Sequence, residues 1–184
     1  MASSSVSVPV VELARVRSLV LRLALLTTLS VGTVLSVLDA GLHSAHAPLG
    51  IVSFELAGAD AAAILADWSD AQRRDALLLQ GLDYLFIPGY ATLLAVVALS
   101  QAARLGPRAP RLSKLAPLAA RAAALAGAAD VVENVPLILM LRAGVAYPTG
   151  AAIAQVCAMI KFGLVLAAIL YAVGVSVSRA GRAR

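Results

Sequence analysis

The sequence predicts an all-α membrane protein: a polytopic four-helix transmembrane bundle with short amphipathic extracytoplasmic helices between the first and second spans. Of the 184 residues, 61% are hydrophobic and only 14% are charged, whereas a soluble domain has roughly 45–50% apolar and about 25% charged residues. Four apolar segments reach the roughly 20 residues needed to cross a bilayer. Most basic residues flank these segments, which argues against a nucleic-acid partner and makes the lipid bilayer the expected surroundings.

The four spans are expected to form a single membrane domain over residues 1–184. They are predicted at about 18–38, 76–103, 115–141 and 149–177, with an extracytoplasmic cap at about 39–75. Ser113 is the predicted N-cap of the third span, and Pro148 precedes the fourth, where its missing N–H costs nothing. The short link 142–148 predicts that the third and fourth helices are antiparallel neighbours.

The distribution of arginine predicts the orientation of the bundle. Basic residues precede the first span, fill the link between the second and third, and follow the fourth: Arg15, Arg17, Arg104, Arg108, Arg111, Lys114, Arg179, Arg182 and Arg184. The segment between the first two spans instead holds six acidic residues and two arginines. The positive-inside rule therefore places both termini in the cytoplasm of a bacterial cell, with the protein in the inner (plasma) membrane.

The start of the chain also resembles a secretory signal peptide. A basic beginning and an apolar run end in Ala45-His46-Ala47, a pattern of small residues found at cleavage sites. The apolar run is about 21 residues long, against the usual 7–15, and Pro48 would follow the cut. We therefore expect the first span to be retained.

The acidic segment between the first two spans predicts one or two short helices at the membrane surface. Asp60 stands at a predicted N-cap, and apolar Ile64, Leu65 and Trp68 follow on one helical face. Tryptophan is enriched where a membrane meets water. We therefore expect Trp68 at the level of the lipid headgroups.

Ionisable residues inside the spans are the main candidates for a functional site. At about 1.5 Å per residue, four of them lie roughly 10–18 Å from the outer ends of three helices. They are Asp83, Asp130, Glu133 and Lys161. Isolated charges at that depth cost at least about 2.5–3.5 kcal/mol each, so they should be paired or neutral. We expect Lys161 to pair with Asp130. Asp83 and Glu133 then form a titrating or ligand-facing pair.

Prolines and further polar residues near these charges predict a cavity. Pro88 and Pro136 each follow an aspartate and free a backbone carbonyl. Freed carbonyls are tolerated at membrane depth where they line a polar cavity. Additional hydrogen bonds are expected from Asn134, Tyr84, Tyr90 and Gln155. The expected site is an intramembrane acidic cavity open to the outer side.

Four short motifs carry a resemblance to a known group. They are FELA (54–57), LDYLF (82–86), DVVEN (130–134) and KF (161–162). Together they resemble small four-span bacterial integral membrane proteins of uncharacterised activity, over most of the chain from Gly50 onward. The resemblance implies that six residues act as one set: Glu55, Asp83, Asp130, Glu133, Asn134 and Lys161. It also implies that Glu55 reaches the cavity from the cap, and it implies no chemistry.

Metal and cofactor sites have little support in the sequence. Asp39, His43 and His46 would share one face of a helix and could form a two-histidine, one-carboxylate metal site. Gly41 disfavours a helix there, so these histidines are better interpreted as solvated loop residues. The single cysteine, Cys157, excludes an internal disulfide and a multi-cysteine metal site. We expect neither a cofactor nor a metal.

Three functions fit this pattern. The preferred one is binding or transport of a small or amphipathic ligand, such as a lipid, at the acidic cavity, with proton coupling as an option. The second is a lipid- or isoprenoid-modifying enzyme that uses a carboxylate as general acid. The third is an accessory or assembly subunit in which the polar contacts only hold helices together, at about 0.6–2 kcal/mol per contact.

Overall fold

The computed structural model describes residues 10–105 and 110–180, and every regular element in that part of the chain is a helix. The elements are α1 (Val10–Ala40), α2 (Ile51–Glu55), a 3-10 turn (Gly58–Asp60), α3 (Ala61–Asp67), α4 (Asp70–Leu105), α5 (Pro110–Ala143) and α6 (Pro148–Ala180). Helices α1, α4, α5 and α6 are each long and apolar enough to cross a membrane. The predicted all-helical class and the four candidate spans are confirmed.

The helices extend beyond the predicted spans. Helix α4 begins at Asp70, six residues before the predicted start of the second span. Helix α5 begins at Pro110, so the prediction of Ser113 as its N-cap is wrong. Proline suits the first position of a helix because it lacks the N–H that would be unsatisfied there. Pro148 is likewise the first residue of α6, next to the predicted start.

The four long helices alternate in direction, which gives the bundle two different ends. Helices α1 and α5 end, and α4 and α6 begin, at what we call the cap end. Here residues 41–69, called the cap below, connect α1 to α4. At the opposite end, called the terminal end, lie the starts of α1 and α5 and the ends of α4 and α6.

Helix α5 packs along both α4 and α6, and α1 packs along α4. Helices α1 and α6 make very few contacts with each other. A gap therefore lies between them, next to α4. The outward faces of both helices are apolar, with Leu26 and Leu29 on α1 and Leu166 and Leu170 on α6 exposed. An apolar surface of this extent suits lipid chains better than water.

Small residues on α5 let the helices approach closely. Its buried face carries Ala116, Ala119, Ala123, Ala126 and Gly127. A Cβ added at Gly127 would lie 3.2 Å from the Ile87 side chain of α4, so glycine allows the two backbones to meet there. Helices α4 and α5 continue through Pro88, Pro117 and Pro136.

The cap has its own small core, which sits on the bundle. Phe54, Ile64, Leu65 and Trp68 are each at most 2% exposed, and they belong to one cluster with Leu137 and Met140 of α5. Ile64 and Leu65 therefore lie on the buried face of α3, as an amphipathic helix requires. Asp60 holds the predicted N-cap position of α3, but its side chain makes no capping hydrogen bond.

Trp68 lies inside the cap core and is only 2% exposed. Its ring packs 5.4 Å from the ring of Phe54, measured between centroids. Its indole Nε1–H donates to the carbonyl oxygen of Leu42 at 2.8 Å. A buried tryptophan needs such an acceptor, and the chain after α1 supplies it, which allows the whole side chain to fill the cap core.

Candidate functional site

Lys161, in the middle of α6, is the centre of a buried ionic cluster. Its Nζ lies 3.0 Å from Glu55 Oε2, 3.1 Å from Asp130 Oδ1 and 2.9 Å from Glu133 Oε1. An ammonium group has three N–H donors, so the three carboxylates use all of them. We call Lys161, Glu55, Asp130 and Glu133 the lysine cluster.

The predicted pair of Lys161 and Asp130 is present. Asp83 and Glu133, expected as the titrating or ligand-facing pair, have different partners: Glu133 binds Lys161, and Asp83 Oδ2 accepts a hydrogen bond from Asn134 Nδ2 at 2.7 Å. The difference is one of rotation about the helix axes. Counting residues along a helix gives the depth of a side chain but not the neighbour toward which it points.

The lysine cluster joins three elements. Glu55 is the last residue of α2 in the cap, and Asp130 and Glu133 are three residues apart on α5, which places them on one face. All four side chains are buried. The cluster therefore fastens the cap to α5 and α6, in agreement with the expectation that Glu55 reaches the site from the cap.

A second layer of polar side chains surrounds the lysine cluster. Tyr90 Oη donates to Asp130 Oδ2 at 2.9 Å, and Gln80 Nε2 donates to Glu55 Oε1 at 3.5 Å. The sequence analysis missed Gln80. The sequence spacing could have identified Gln80, because it lies three residues before Asp83 and so shares one face of α4 with it.

This network holds more buried acceptors than donors. Three oxygens in it are buried and have no hydrogen-bond partner among the described residues: Gln80 Oε1, Glu133 Oε2 and Asn134 Oδ1. Each side chain that carries one of them is 0% exposed. Because buried polar atoms are normally hydrogen-bonded, the network has room for additional donors.

A cavity of about 430 Å³ adjoins the lysine cluster in the gap between α1 and α6. Its lining is mostly apolar and comes from α1, α2, α4 and α6, with Asp130 from α5. The polar lining residues are Thr28, Ser36, Asp39, Glu55, Asp83, Tyr90, Asp130 and Lys161. We call this cavity the lateral groove.

The lateral groove is covered at one end and open at one side. The sequence predicted an intramembrane acidic cavity open to the outer side. Ile51, Val52 and Glu55 of α2 lie across the groove at the cap end, while α1 and α6 hardly touch. The groove is therefore covered by the cap, and its side faces outward between α1 and α6.

Four predicted site residues do not line the groove. Glu133 and Asn134 belong to the polar network behind it, and Tyr84 and Gln155 make contacts elsewhere. Tyr84 is exposed, and its Oη donates to the Val131 carbonyl oxygen at 3.4 Å, across the contact between α4 and α5. Gln155 Nε2 donates to the Leu56 carbonyl oxygen at 2.8 Å and so holds the end of α2 against α6. Gly58 has φ of +53° and lies against the Gln155 amide, which leaves no space for a larger residue.

The metal site suggested by Asp39, His43 and His46 is not formed. Helix α1 ends at Ala40, so the three residues do not share a helical face. His46 Nδ1 lies 3.3 Å from Asp67 Oδ2, and Asp39 Oδ1 accepts the Ile51 N–H at 2.7 Å. In residues 10–105 and 110–180, no group of three His, Cys, Asp or Glu side chains is arranged to hold a metal ion.

The site thus combines an apolar groove with a buried charged cluster at its cap end. An arrangement of this kind suits a ligand that has both an apolar and a polar part. In comparisons with known proteins, no family model, no curated protein and no solved structure matches the chain.

Proposed function

We propose that this chain is a multi-pass integral membrane protein that binds a membrane-resident amphipathic ligand, such as a lipid, in the lateral groove. The apolar part of the ligand lies between α1 and α6, and its polar end lies beside Asp83 and the lysine cluster. One observation carries the proposal: a single cavity connects an apolar wall to buried charges and faces the side of the bundle.

The dimensions of the groove support an elongated ligand. On α4 the lining runs from Leu79 to Leu94, fifteen residues apart, which is about 22 Å along the helix axis. Its volume of about 430 Å³ falls within the roughly 300–1,000 Å³ of small-molecule sites. A hydrocarbon chain fits a groove that is long, narrow and apolar.

The position of the groove supports a ligand that comes from the bilayer. Helices α1 and α6 make few contacts with each other, so a ligand that enters between them breaks little packing. The exposed faces of both helices are apolar and suited to lipid. A lateral path needs no passage of the ligand's apolar part through water.

The distribution of charge supports an orientation with the cap outside the cell and both termini in the cytoplasm. Four exposed basic residues lie near the terminal end: Arg15, Arg17, Arg111 and Lys114. The positive-inside rule favours the cytoplasm for that end. The four apolar helices suit the inner (plasma) membrane.

Labelling of single cysteines tests the orientation. In a Cys157→Ala background, Ala59→Cys places a thiol on the exposed surface of the cap, and Arg111→Cys places one at the terminal end. We expect an impermeant maleimide to label Ala59→Cys in intact cells and Arg111→Cys only after permeabilisation. The opposite pattern would refute the orientation and leave the ligand proposal untouched.

Blocking the groove tests the ligand. Ser36 on α1 lines the groove, whereas Thr33, one turn away on α1, is exposed outside that lining. We expect the full chain to carry lipid in native mass spectrometry, Ser36→Phe to lose it, and Thr33→Phe to keep it. If the wild-type chain carries no ligand, or if both variants keep it equally, the proposal is wrong.

The same experiment separates binding from a purely structural role of the polar residues. The lysine cluster fastens the cap to the bundle, so substitutions within it disturb both stability and binding. The Ser36 hydroxyl is not hydrogen-bonded to that cluster, because it donates to the Gly32 carbonyl oxygen of its own helix. A loss of ligand in Ser36→Phe without a loss of thermal stability therefore indicates a binding site.

A further inference from the structure

We infer that the lateral groove selects an amphiphile whose head group is a protonated primary amine and that this amine binds at Asp83. The inference rests on the proposed function, because it names the chemical class of the ligand in the same groove. It follows from the hydrogen-bond donors and acceptors that the groove offers.

The donors on the polar lining are already used within the protein. The three N–H groups of Lys161 meet Glu55, Asp130 and Glu133. Tyr90 Oη donates to Asp130, Thr28 Oγ1 donates to the Ala24 carbonyl oxygen at 2.7 Å, and Ser36 Oγ donates to the Gly32 carbonyl oxygen at 2.9 Å. A ligand therefore meets no free side-chain donor on this lining.

Acceptors, in contrast, remain free. Asp83 is only partly buried and lines the groove, and its Oδ2 accepts one hydrogen bond, from Asn134. Its Oδ1 accepts none from any residue in the described parts of the chain. Asp83 therefore presents a carboxylate oxygen that a donor on the ligand can reach.

The balance of charge favours a cation. Four carboxylates line the groove, those of Asp39, Glu55, Asp83 and Asp130, and Lys161 supplies the only lining ammonium. Behind the lining, Glu133 Oε2 also has no hydrogen-bond partner in residues 10–105 and 110–180. In surroundings of low polarity, excess negative charge is costly unless a cation accompanies it or a carboxyl takes up a proton. An amine head group would supply both that positive charge and three N–H donors.

Anionic head groups are disfavoured for the same reasons. A phosphate or carboxylate would lie beside Asp83 and Asp130 without a free donor, and like charges placed together discriminate against a ligand. Lys161 cannot serve such an anion without giving up one of its three carboxylates. A neutral alcohol head group can donate a hydrogen bond to the free acceptors of the groove, but it does not compensate the excess negative charge.

A matched series of dodecyl amphiphiles tests the inference. The full chain, in non-ionic detergent, is titrated with dodecylamine, dodecyltrimethylammonium, dodecanol and dodecyl phosphate, and the midpoint of thermal unfolding is recorded. We expect dodecylamine to stabilise most. The trimethylammonium compound, which has charge but no N–H, and dodecanol, which has a donor but no charge, should stabilise less. Dodecyl phosphate should not stabilise.

Two substitutions of the same kind locate the amine. Asp83→Asn removes the groove carboxylate, and Asp75→Asn makes the same change at an exposed position two turns earlier on α4. We expect Asp83→Asn to weaken dodecylamine binding at least about tenfold, which corresponds to about 1.4 kcal/mol, and Asp75→Asn to leave it unchanged. Asp83→Glu keeps the charge and should retain the preference if Asp83→Asn does not fold.

The outcomes separate this inference from the proposed function. The inference is overturned if dodecyl phosphate stabilises the wild-type chain as much as dodecylamine does, or if Asp83→Asn binds the amine as tightly as wild type. All four amphiphiles could instead bind equally well and lose binding in Ser36→Phe. That result would overturn the preference for an amine head group and support the groove as the binding site. If no amphiphile binds and the purified chain carries no lipid, the proposed function fails as well.

Discussion

The half of the bundle next to the cap differs from the half next to the terminal end, called the terminal half below. Next to the cap, α5 and α6 meet through the lysine cluster beneath the large side chains of the cap. In the terminal half, α5 and α6 meet mainly through small apolar side chains. The first half buries Phe54, Trp68 and Met140 close to four charged groups. In the second half the buried face of α5 is mainly alanine, and a small cluster forms around Val175. Both halves belong to the same helices, so their surroundings within the bundle decide what each half can do.

This difference indicates a division of roles. Small residues let helices approach closely and gain dispersion energy, but they offer no groups to bind a polar ligand. Buried charges contribute little net stability, because desolvation offsets their attraction, and they become costly when one partner is removed. The two halves should therefore respond differently to substitution.

Removal of the only ammonium in the lysine cluster should have the largest effect. Lys161→Met keeps an unbranched chain but leaves Glu55, Asp130 and Glu133 close together without a cation. We expect the free energy of unfolding to fall by about 3–5 kcal/mol, measured by denaturant titration in detergent micelles. Lys114→Met, at an exposed position near the terminal end, should change it little. Equal stability of Lys161→Met and wild type would show that the carboxylates do not depend on Lys161.

Overpacking should be the characteristic weakness of the terminal half. Ala123 on α5 is 0% exposed, and the adjacent Ala124 is exposed. We expect Ala123→Leu to destabilise the bundle by about 1–3 kcal/mol and Ala124→Leu to have almost no effect in the same titration. Because Ala123 does not line the groove, ligand binding by folded Ala123→Leu should match wild type. Similar stability losses in both variants would contradict close packing at Ala123.

Hydropathy was enough to predict the four long helices, because the length and apolar composition needed to cross a membrane are properties of each segment by itself. Depth counting also predicted that Lys161 meets Asp130, since both lie at similar levels on neighbouring helices. It did not predict that Glu133 also binds Lys161, because rotation about the helix axes depends on packing between helices. The inclusion of Glu55 came from the resemblance of short motifs and not from depth.

The cap was harder to predict than the spans. The expectation of Trp68 at the headgroup level used a general preference of tryptophan. That preference did not reveal that the ring is buried against an acceptor 26 residues earlier in the sequence. The metal site proposed for Asp39, His43 and His46 required a helix to continue past Ala40. In both cases contacts between distant residues decided the outcome.

The same substitution in the two halves provides a more sensitive comparison. Gln155 Nε2 donates to the Leu56 carbonyl oxygen at 2.8 Å, and Gln101 Nε2 donates to the Ala172 carbonyl oxygen at 3.1 Å. We expect Gln155→Leu to lower the free energy of unfolding by about 1 kcal/mol and to accelerate amide hydrogen exchange in Ile51–Glu55. Gln101→Leu should leave exchange in that segment unchanged. Faster exchange there in both variants would indicate that the halves are not independent.

The smallest expected effect concerns Asp67, in the part of the cap outside the candidate spans. A hydrogen bond from Ser44 and another from the His46 backbone N–H lower the pKa of the Asp67 carboxyl below its usual value of 3.8. A carboxyl whose pKa is lower in the folded chain adds stability above its unfolded pKa. That stability is lost as the pH falls from about 4 through the folded value.

Titration of the Asp67 carboxyl by carbon NMR checks this prediction. We expect a midpoint below 3.8 in the wild-type chain and a rise toward 3.8 in Ser44→Ala, which removes the largest of the hydrogen-bond contributions. Ala59→Ser, at an exposed cap position, should leave the midpoint where it is. A midpoint at or above 3.8 in wild type would mean that the turn before α2 does not hold Ser44 and His46 against α3, and the cap would then be tied to the bundle mainly through Glu55 and Gln155.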